Sequence, residues 1–105
     1  MNDWKGLIKY SRRCGLYVPS YDLAKATGRK HQNLMTTVKR YYKGYIHYYY
    51  TDHQYYKNQK IYLLRYGIIK AINKKGVFDD LLKEMQREKE KRMIEIEKSL
   101  KRLFG

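Results

Sequence analysis

The sequence feature that most constrains the fold of this chain is its last quarter, because residues 78–104 contain neither proline nor glycine. Two acids lie in the first turn of this segment and two bases in its last turn, which stabilises a helix dipole. We therefore predict one helix over residues 78–104, about 40 Å long at about 1.5 Å per residue. The chain has 105 residues, so residues 1–77 are left to form one compact domain with a modest core.

The predicted long helix carries two apolar stripes, separated by the wholly polar residues 86–92. A helix of this length cannot pack entirely against a 77-residue body, so we expect it to dimerise the chain. The alternatives are a free solvent helix and a coiled coil with another protein. We assign to dimerisation the residues of both stripes, Phe78, Leu82, Met85, Met93, Ile96, Leu100 and Leu103.

Positive charge is concentrated in the body. Residues 1–77 hold 16 Lys and Arg against 3 acids, whereas residues 78–105 hold 8 against 7. A compact body with this excess attracts a polyanion, and nucleic acid is the commonest one. A solvated basic surface without a ligand is the alternative. An anionic membrane is disfavoured, because the body lacks a clean basic amphipathic helix.

Apolar spacing and turn residues predict the helices of the body. Residues 3–13 are expected to form a first helix, since their apolar residues recur at helical spacing. An extended connection reaches Pro19, Ser20 is the expected N-cap of a second helix, and Gly28 ends that helix. A further helix is expected over about 65–74.

Between these elements, residues 30–43 are predicted to form a third helix. Leu34, Val38 and Tyr41 would form its buried stripe. The opposite face is polar and mostly basic. Gly44 is the expected end of this helix, and the residues on or beside its polar face are Arg29, Gln32, Asn33, Thr36, Lys39, Arg40 and Lys43.

Aromatic and β-branched residues predict two strands, over residues 45–50 and 60–64. The polar residues between them make the pair a hairpin with a long basic and aromatic loop. Of the 13 tyrosines, we expect Tyr41, Tyr45 and Tyr62 in the core, and Tyr55 and Tyr56 as backbone contacts. Stacking of the tyrosines on single-stranded bases is the alternative.

The order of these elements and three stretches of sequence resemble winged helix-turn-helix regulators. The stretches are SYDLAKATGRKHQNL at residues 20–34, VKRYYKGYI at 38–46 and IYLLRYG at 61–67. Leu64 and Arg65 depart from the family's pattern, in which threonine is common there. With its long C-terminal helix, the chain is similar to MarR- and PadR-type regulators and to archaeal plasmid partition centromere-binding proteins. A shorter similarity, over residues 24–31, is to phage Rha-type regulators.

This resemblance implies a mainly α fold with a small β-hairpin wing, plus the long dimerisation helix over 78–105. The third helix would enter the major groove, where its N-terminal end usually contacts bases. We expect base contacts from Arg29, Lys30, His31, Gln32, Asn33, Thr36 and Thr37. Phosphate contacts are expected from Ser20, Lys39, Arg40 and Lys43. The wing residues are His53, Gln54, Tyr55, Tyr56, Lys57, Asn58 and Lys60. A solvated polar face and a simple exposed turn are the respective alternatives.

The sequence disfavours an enzyme. The three histidines have no metal-ligand spacing, Cys14 has no visible partner, and the body's acids are too few for a two-metal nuclease. We therefore expect no metal or cofactor. One cysteine, no long apolar run and no apolar segment after residues 1–5 favour a reducing, cytoplasmic compartment, with association to the nucleoid.

The sequence thus predicts a homodimer that binds specific double-stranded DNA and regulates transcription. Three alternatives stay open: a plasmid partition centromere-binding adaptor, a non-specific architectural chromatin protein, and a coiled-coil interaction protein that uses the long helix.

Overall fold

The computed structural model describes residues 4–51 and 59–104. Within them, a short 3-10 helix, Trp4–Leu7, precedes four strands and four helices. The strands are β1 (Lys9–Ser11), β2 (Gly15–Pro19), β3 (Tyr48–Thr51) and β4 (Gln59–Arg65). The helices are α1 (Ser20–Thr27), α2 (His31–Tyr41), α3 (Tyr66–Ile72) and α4 (Asp79–Phe104). The expected mainly α chain with a small β component and a long C-terminal helix is confirmed.

The β component is larger than the expected hairpin. The strands form one antiparallel sheet in the order β1-β2-β4-β3. Val18 of β2 pairs with Leu64 of β4, and Tyr48 of β3 pairs with Tyr62 of β4. The sheet therefore joins the start of the body to the hairpin that follows α2. Residues 52–58, between β3 and β4, lie outside the described residues.

The predicted first helix over residues 3–13 is wrong. One 3-10 turn is followed by β1, which pairs with β2. Gly15 has φ 75°, a conformation that glycine adopts readily, and it allows the chain to reverse between these strands. Trp4 packs edge-on against Phe78, with ring centroids 6.3 Å apart. Its apolar spacing therefore reflects contact with α4 rather than a helix of its own.

The α1–turn–α2 unit follows the local signals closely. Gly28 has φ 70° and ends α1, as predicted. The Arg29 N–H donates to the Ala24 carbonyl at 2.9 Å, which closes the turn. α2 ends at Tyr41 because Tyr42 is extended, so Gly44 lies beyond the helix rather than at its end.

One core unites the sheet and the helices. It takes β2, α1, α2, β4, α3 and the first two turns of α4, and its members are Val18, Leu23, Ala24, Leu34, Met35, Val38, Leu64, Ile68, Ile69, Ile72, Phe78, Leu81, Leu82 and Met85. Assigning Phe78, Leu82 and Met85 to dimerisation is therefore wrong, because these side chains are buried inside their own chain. Leu81, which the stripe omitted, is fully buried beside them.

The rest of α4 extends past this core. Its second apolar stripe, Met93, Ile96, Leu100 and Leu103, is 48–76% exposed. The radius of gyration is 15.6 Å, against about 13 Å for a compact chain of this size. Among the described residues, no helix is both long enough and apolar enough to span a membrane.

Candidate nucleic-acid interface

The outward face of α2 is polar and basic, as predicted. Leu34, Met35 and Val38 are buried on its inner side, whereas Gln32, Asn33, Thr36, Lys39 and Arg40 are exposed. Arg29 and Lys30, just before the helix, and Lys43, just after it, are exposed as well. Asp22 is the only acid in residues 4–51 and 59–77, so the surface around α2 has an almost uniform sign of charge.

Lysines from two different elements meet at one tyrosine ring. Lys39 Nζ of α2 lies 5.5 Å from the ring centroid of Tyr62, and Lys60 Nζ of β4 lies 5.8 Å from it. Lys60 Nζ is also 4.0 Å from the ring centroid of Tyr48. These distances lie within the cation–π range, and both lysines line the same surface groove. Helix and hairpin therefore present one continuous cationic surface.

A groove of about 440 Å³ runs between α2 and β4 on this surface. Met35 and the ring of Tyr62 form the apolar part of its lining. The polar and charged part is His31, Gln32, Thr36, Lys39 and Lys60. Four of these five residues were predicted to contact bases or the DNA backbone from α2, and the fifth was assigned to the wing. The structure thus brings together residues that the sequence assigned to separate elements.

Ser20 does not have the predicted role as a helix cap and phosphate contact. Pro19 occupies the N-cap position, and Ser20 is the first residue of α1 and fully buried. The Ser20 Oγ accepts the backbone N–H of Tyr62 at 2.9 Å and lies 2.7 Å from His31 Nε2. Since both contacts use the hydroxyl internally, Ser20 joins α1 to β4 and α2 instead of contacting a ligand.

The ring of His31, which was predicted to contact a base, makes its contacts inside the protein. It is half-buried, and its ring lies 5.6 Å from that of Tyr21. Burial lowers the pKa of His31 below its usual 6.5, because a low-dielectric site disfavours the charged ring. A neutral Nε2 can accept the Ser20 O–H while the Ser20 oxygen accepts the Tyr62 N–H, so all three groups are paired.

The threonines of α2 have their hydroxyl groups already engaged. Thr36 Oγ1 donates to the Gln32 carbonyl at 2.9 Å, and Thr37 Oγ1 donates to the Asn33 carbonyl at 3.2 Å. Each side chain can therefore offer a ligand its oxygen lone pairs and its methyl group. Thr36 is exposed, whereas Thr37 is half-buried at the edge of the helix face.

Two tyrosines predicted for the core are on the surface. Tyr41 is 44% and Tyr45 68% exposed; Tyr41 lies in the last turn of α2, with Lys74 Nζ 4.6 Å from its ring centroid. Tyr42 packs against the core instead, because the chain becomes extended there. Tyr62 packs against the core as predicted, although it is only partly buried.

Strand β3 adds aromatic surface that the sequence did not assign to the site. Tyr48, Tyr49 and Tyr50 are all exposed, and the rings of Tyr48 and Tyr50 meet edge-on at 5.7 Å. The pairing of Tyr48 with Tyr62 places Tyr48 beside the groove. The sequence does contain a signal for this surface. Alternate residues of a strand share one face, so Tyr48 and Tyr50, two positions apart, are expected on the same side of β3.

Partial burial raises the pKa of Tyr17 on β2 and of Tyr49, although Tyr49 is still 43% exposed. For Tyr17, the next largest effect is the nearby Tyr49 phenol, and Asp22 contributes to both. A tyrosine with its usual pKa near 10 is already neutral at pH 7, so the raised pKa keeps both phenols as hydrogen-bond donors.

The remaining predicted wing residues, His53, Gln54, Tyr55, Tyr56, Lys57 and Asn58, lie outside the described residues. Within the described part of the chain, no three His, Cys, Asp or Glu side chains cluster in a way that could hold a metal ion. Comparison of the chain with protein-family models, with curated protein sequences and with solved structures found no match.

Proposed function

We propose that this protein binds double-stranded DNA, with α2 in the major groove and the β3–β4 hairpin beside it as the wing of a winged helix-turn-helix unit. The observation that carries the proposal is the meeting of Lys39 and Lys60 at the Tyr62 ring. A rigid surface with cations on a helix and on an adjacent hairpin suits two neighbouring phosphates of a duplex backbone.

Sequence reading is assigned to the exposed side chains in the first half of α2. The amides of Gln32 and Asn33 can pair with the two major-groove atoms of adenine, and Arg29 with those of guanine. Because Ser20 ties α1, α2 and β4 together, these side chains are held in a fixed position relative to the lysines. The protein then reads bases and contacts phosphates in one orientation.

We propose further that the chain acts as a homodimer through the outer stripe of α4 and regulates transcription by occupying an operator. Two recognition helices would favour half-sites about one helical turn apart. A partition adaptor or an architectural protein would use the same surface. The presence or absence of a sequence motif, and of half-site symmetry, separates these roles.

Single-stranded nucleic acid is a second candidate, and the exposed tyrosines favour it. Tyr45, Tyr48 and Tyr50 are all exposed, and Lys60 Nζ lies 4.0 Å from the ring centroid of Tyr48. Successive bases stack on such rings with little sequence preference. This candidate differs measurably from the first, because it predicts tighter binding to single strands than to duplexes of equal length.

The experiment is a selection of random duplexes against the purified protein at physiological salt, followed by fluorescence anisotropy on the selected duplex and its separated strand. We expect a motif and a preference for the duplex. Lys39→Gln should reduce the slope of log affinity against log salt by roughly 0.9, the contribution of one phosphate contact. Asn33→Ala should lose roughly 1–3 kcal/mol of discrimination at one base pair.

Lys98→Gln, on the exposed outer half of α4, is the matched control and should leave the salt slope unchanged. Failure to retain any duplex would refute the proposal. Preference for the separated strand would replace it with the second candidate. An unchanged salt slope for Lys39→Gln would show that α2 does not contact the backbone where we place it.

A further inference from the structure

A second cavity lies away from the DNA surface and shares no lining residue with the groove between α2 and β4. It has a volume of about 650 Å³ and lies between the β1–β2 hairpin, the start of α3 and the middle of α4. This volume falls within the roughly 300–1,000 Å³ of sites that bind small organic molecules. Its apolar walls include Leu16, Ile68, Met85 and Met93.

Three cations line this apolar cavity, and none of its lining residues is acidic. They are Arg65, at the end of β4, and Lys89 and Arg92, both on α4. Arg65 Nη2 donates to the Tyr42 hydroxyl at 3.3 Å. Since polar groups in an apolar pocket set the orientation and class of a ligand, this arrangement calls for a molecule with one anionic end.

An unpaired polar atom of Arg92 also indicates an anionic ligand. Its Nε is shielded from solvent and has no hydrogen-bond partner among the described residues, whereas the side chain as a whole is 42% exposed. The Glu88 Oε1 is 3.9 Å from it, which is too far for a hydrogen bond, and the guanidinium lies 4.2 Å from the ring centroid of Tyr10. A buried donor without an acceptor is unfavourable, and an anionic oxygen would satisfy it.

We propose that this cavity binds an organic anion with an apolar body, such as an aryl or alkyl carboxylate. The apolar walls bury the body of the ligand, and the carboxylate accepts hydrogen bonds from Arg92 and Lys89. Inorganic phosphate would leave the apolar walls unfilled, and a neutral hydrocarbon would leave the Arg92 Nε without an acceptor. Binding of such an anion is independent of DNA binding, and the experiment contains no DNA.

The test uses two fluorescent probes with the same aromatic skeleton. One is 8-anilinonaphthalene-1-sulfonate, which carries an anionic group, and the other is neutral N-phenyl-1-naphthylamine. We expect the anionic probe to bind once per chain and more tightly than the neutral one. Lys89→Gln and Arg92→Gln should each weaken the anionic probe roughly tenfold, because hydrogen bonds to charged groups are stronger than neutral ones.

Lys91→Gln is the matched control, since Lys91 is on the same helix but does not line the cavity. It should leave the affinity for both probes unchanged. Neutral-probe binding should also survive in the Lys89 and Arg92 variants, which shows that the cavity is still formed. Loss of anionic binding alone then identifies the charge of the ligand rather than a folding defect.

Cys14 locates the bound probe. It lines the cavity and is the single cysteine of the chain, so alkylation by N-ethylmaleimide reports this site without background. We expect saturating 8-anilinonaphthalene-1-sulfonate to slow alkylation of Cys14 in the native protein. The same concentration should not slow it in the Arg92→Gln variant.

Three results would overturn the inference. The first is equal weakening of the anionic probe by Lys89→Gln and Lys91→Gln, which would mean a general attraction to positive charge. The second is unchanged alkylation of Cys14 at saturating probe. The third is loss of probe binding as the protein concentration rises, since it would show that a second copy of the chain fills the cavity.

Discussion

Replacing Ser20 by alanine tests how the proposed DNA-binding surface is held together. The substitution removes one buried hydroxyl that contacts the Tyr62 N–H at 2.9 Å and His31 Nε2 at 2.7 Å. An unpaired buried amide costs about 1–3 kcal/mol. The His31 contribution is smaller, because His31 is half-buried and water can replace part of the bond. We therefore expect a loss of about 2–3 kcal/mol in the free energy of unfolding.

A loss of this size is large for a single domain, whose whole stability is about 5–15 kcal/mol. The melting temperature of a chain this short should fall by roughly 10–15 °C. Urea unfolding followed by circular dichroism measures the change, and fluorescence gives an independent probe because Trp4, the single tryptophan, packs against Phe78. Agreement of the two signals would support a two-state transition.

Ser11→Ala is the matched control for this experiment. The Ser11 hydroxyl also accepts a backbone N–H, that of Arg13 at 3.2 Å, but on the exposed surface. Water can replace that bond, so we expect a change below about 0.5 kcal/mol. If Ser20→Ala were no more destabilising than Ser11→Ala, the hydroxyl would not be the link between α1, α2 and β4, and our account of the surface's rigidity would be refuted.

Two further predictions concern pH and assembly. Burial lowers the folded-state pKa of His31. The contribution of neutral His31 to the free energy of unfolding should therefore be complete above about pH 6.5 and lost as pH falls through the lowered value. Between pH 7.5 and 5.5, the melting temperature should fall less in His31→Gln than in the native chain. Leu100→Glu should dissociate the proposed dimer in sedimentation velocity, whereas Ser99→Glu, with the same charge off the apolar stripe, should not. A dimer that survives Leu100→Glu would place the interface elsewhere.

The sequence predicted most accurately the features that nearby residues determine. Gly28 ends α1 through its own left-handed conformation, and Leu34 and Val38 identify the buried side of α2 by spacing alone. The long α4 also follows from local composition. In each case the signal and the structure lie within a few residues of each other, so a single stretch of chain carries the information.

Local patterns could not predict contacts between residues that are far apart in the sequence. β2 pairs with β4, and the partners Tyr17 and Arg65 are 48 positions apart. Residues 9–11 pair in turn with β2, so no local pattern shows that they form a strand of this sheet rather than part of a helix. The same holds for Ser20. Its type favours an N-cap, but the Tyr62 N–H, 42 residues away, pairs with the hydroxyl in the interior.

The tyrosines show a different limit. Three of them lie within residues 41–45, and any one could fill the place next to the core. The choice is made by the end of α2, because the extended conformation of Tyr42 turns its side chain inward and leaves Tyr41 in the exposed last turn. A shift of one residue in a helix end thus exchanges a core residue for a surface one, and helix ends are the least certain part of a sequence-based assignment.

The structure also changes how the role of α4 has to be tested. The boundary between body and tail is not at residue 78, because Phe78–Met85 complete the core and the next turns, with Lys89 and Arg92, close the second cavity. Deleting residues 86–105 would therefore remove the proposed dimer contact and open that cavity at the same time. A loss of dimer in such a truncation would have two causes. Met93 belongs both to the outer stripe and to the cavity wall, whereas Leu100 lies beyond the cavity's last lining residue. The single change at Leu100 therefore alters the proposed dimer contact and leaves every side chain of the cavity in place.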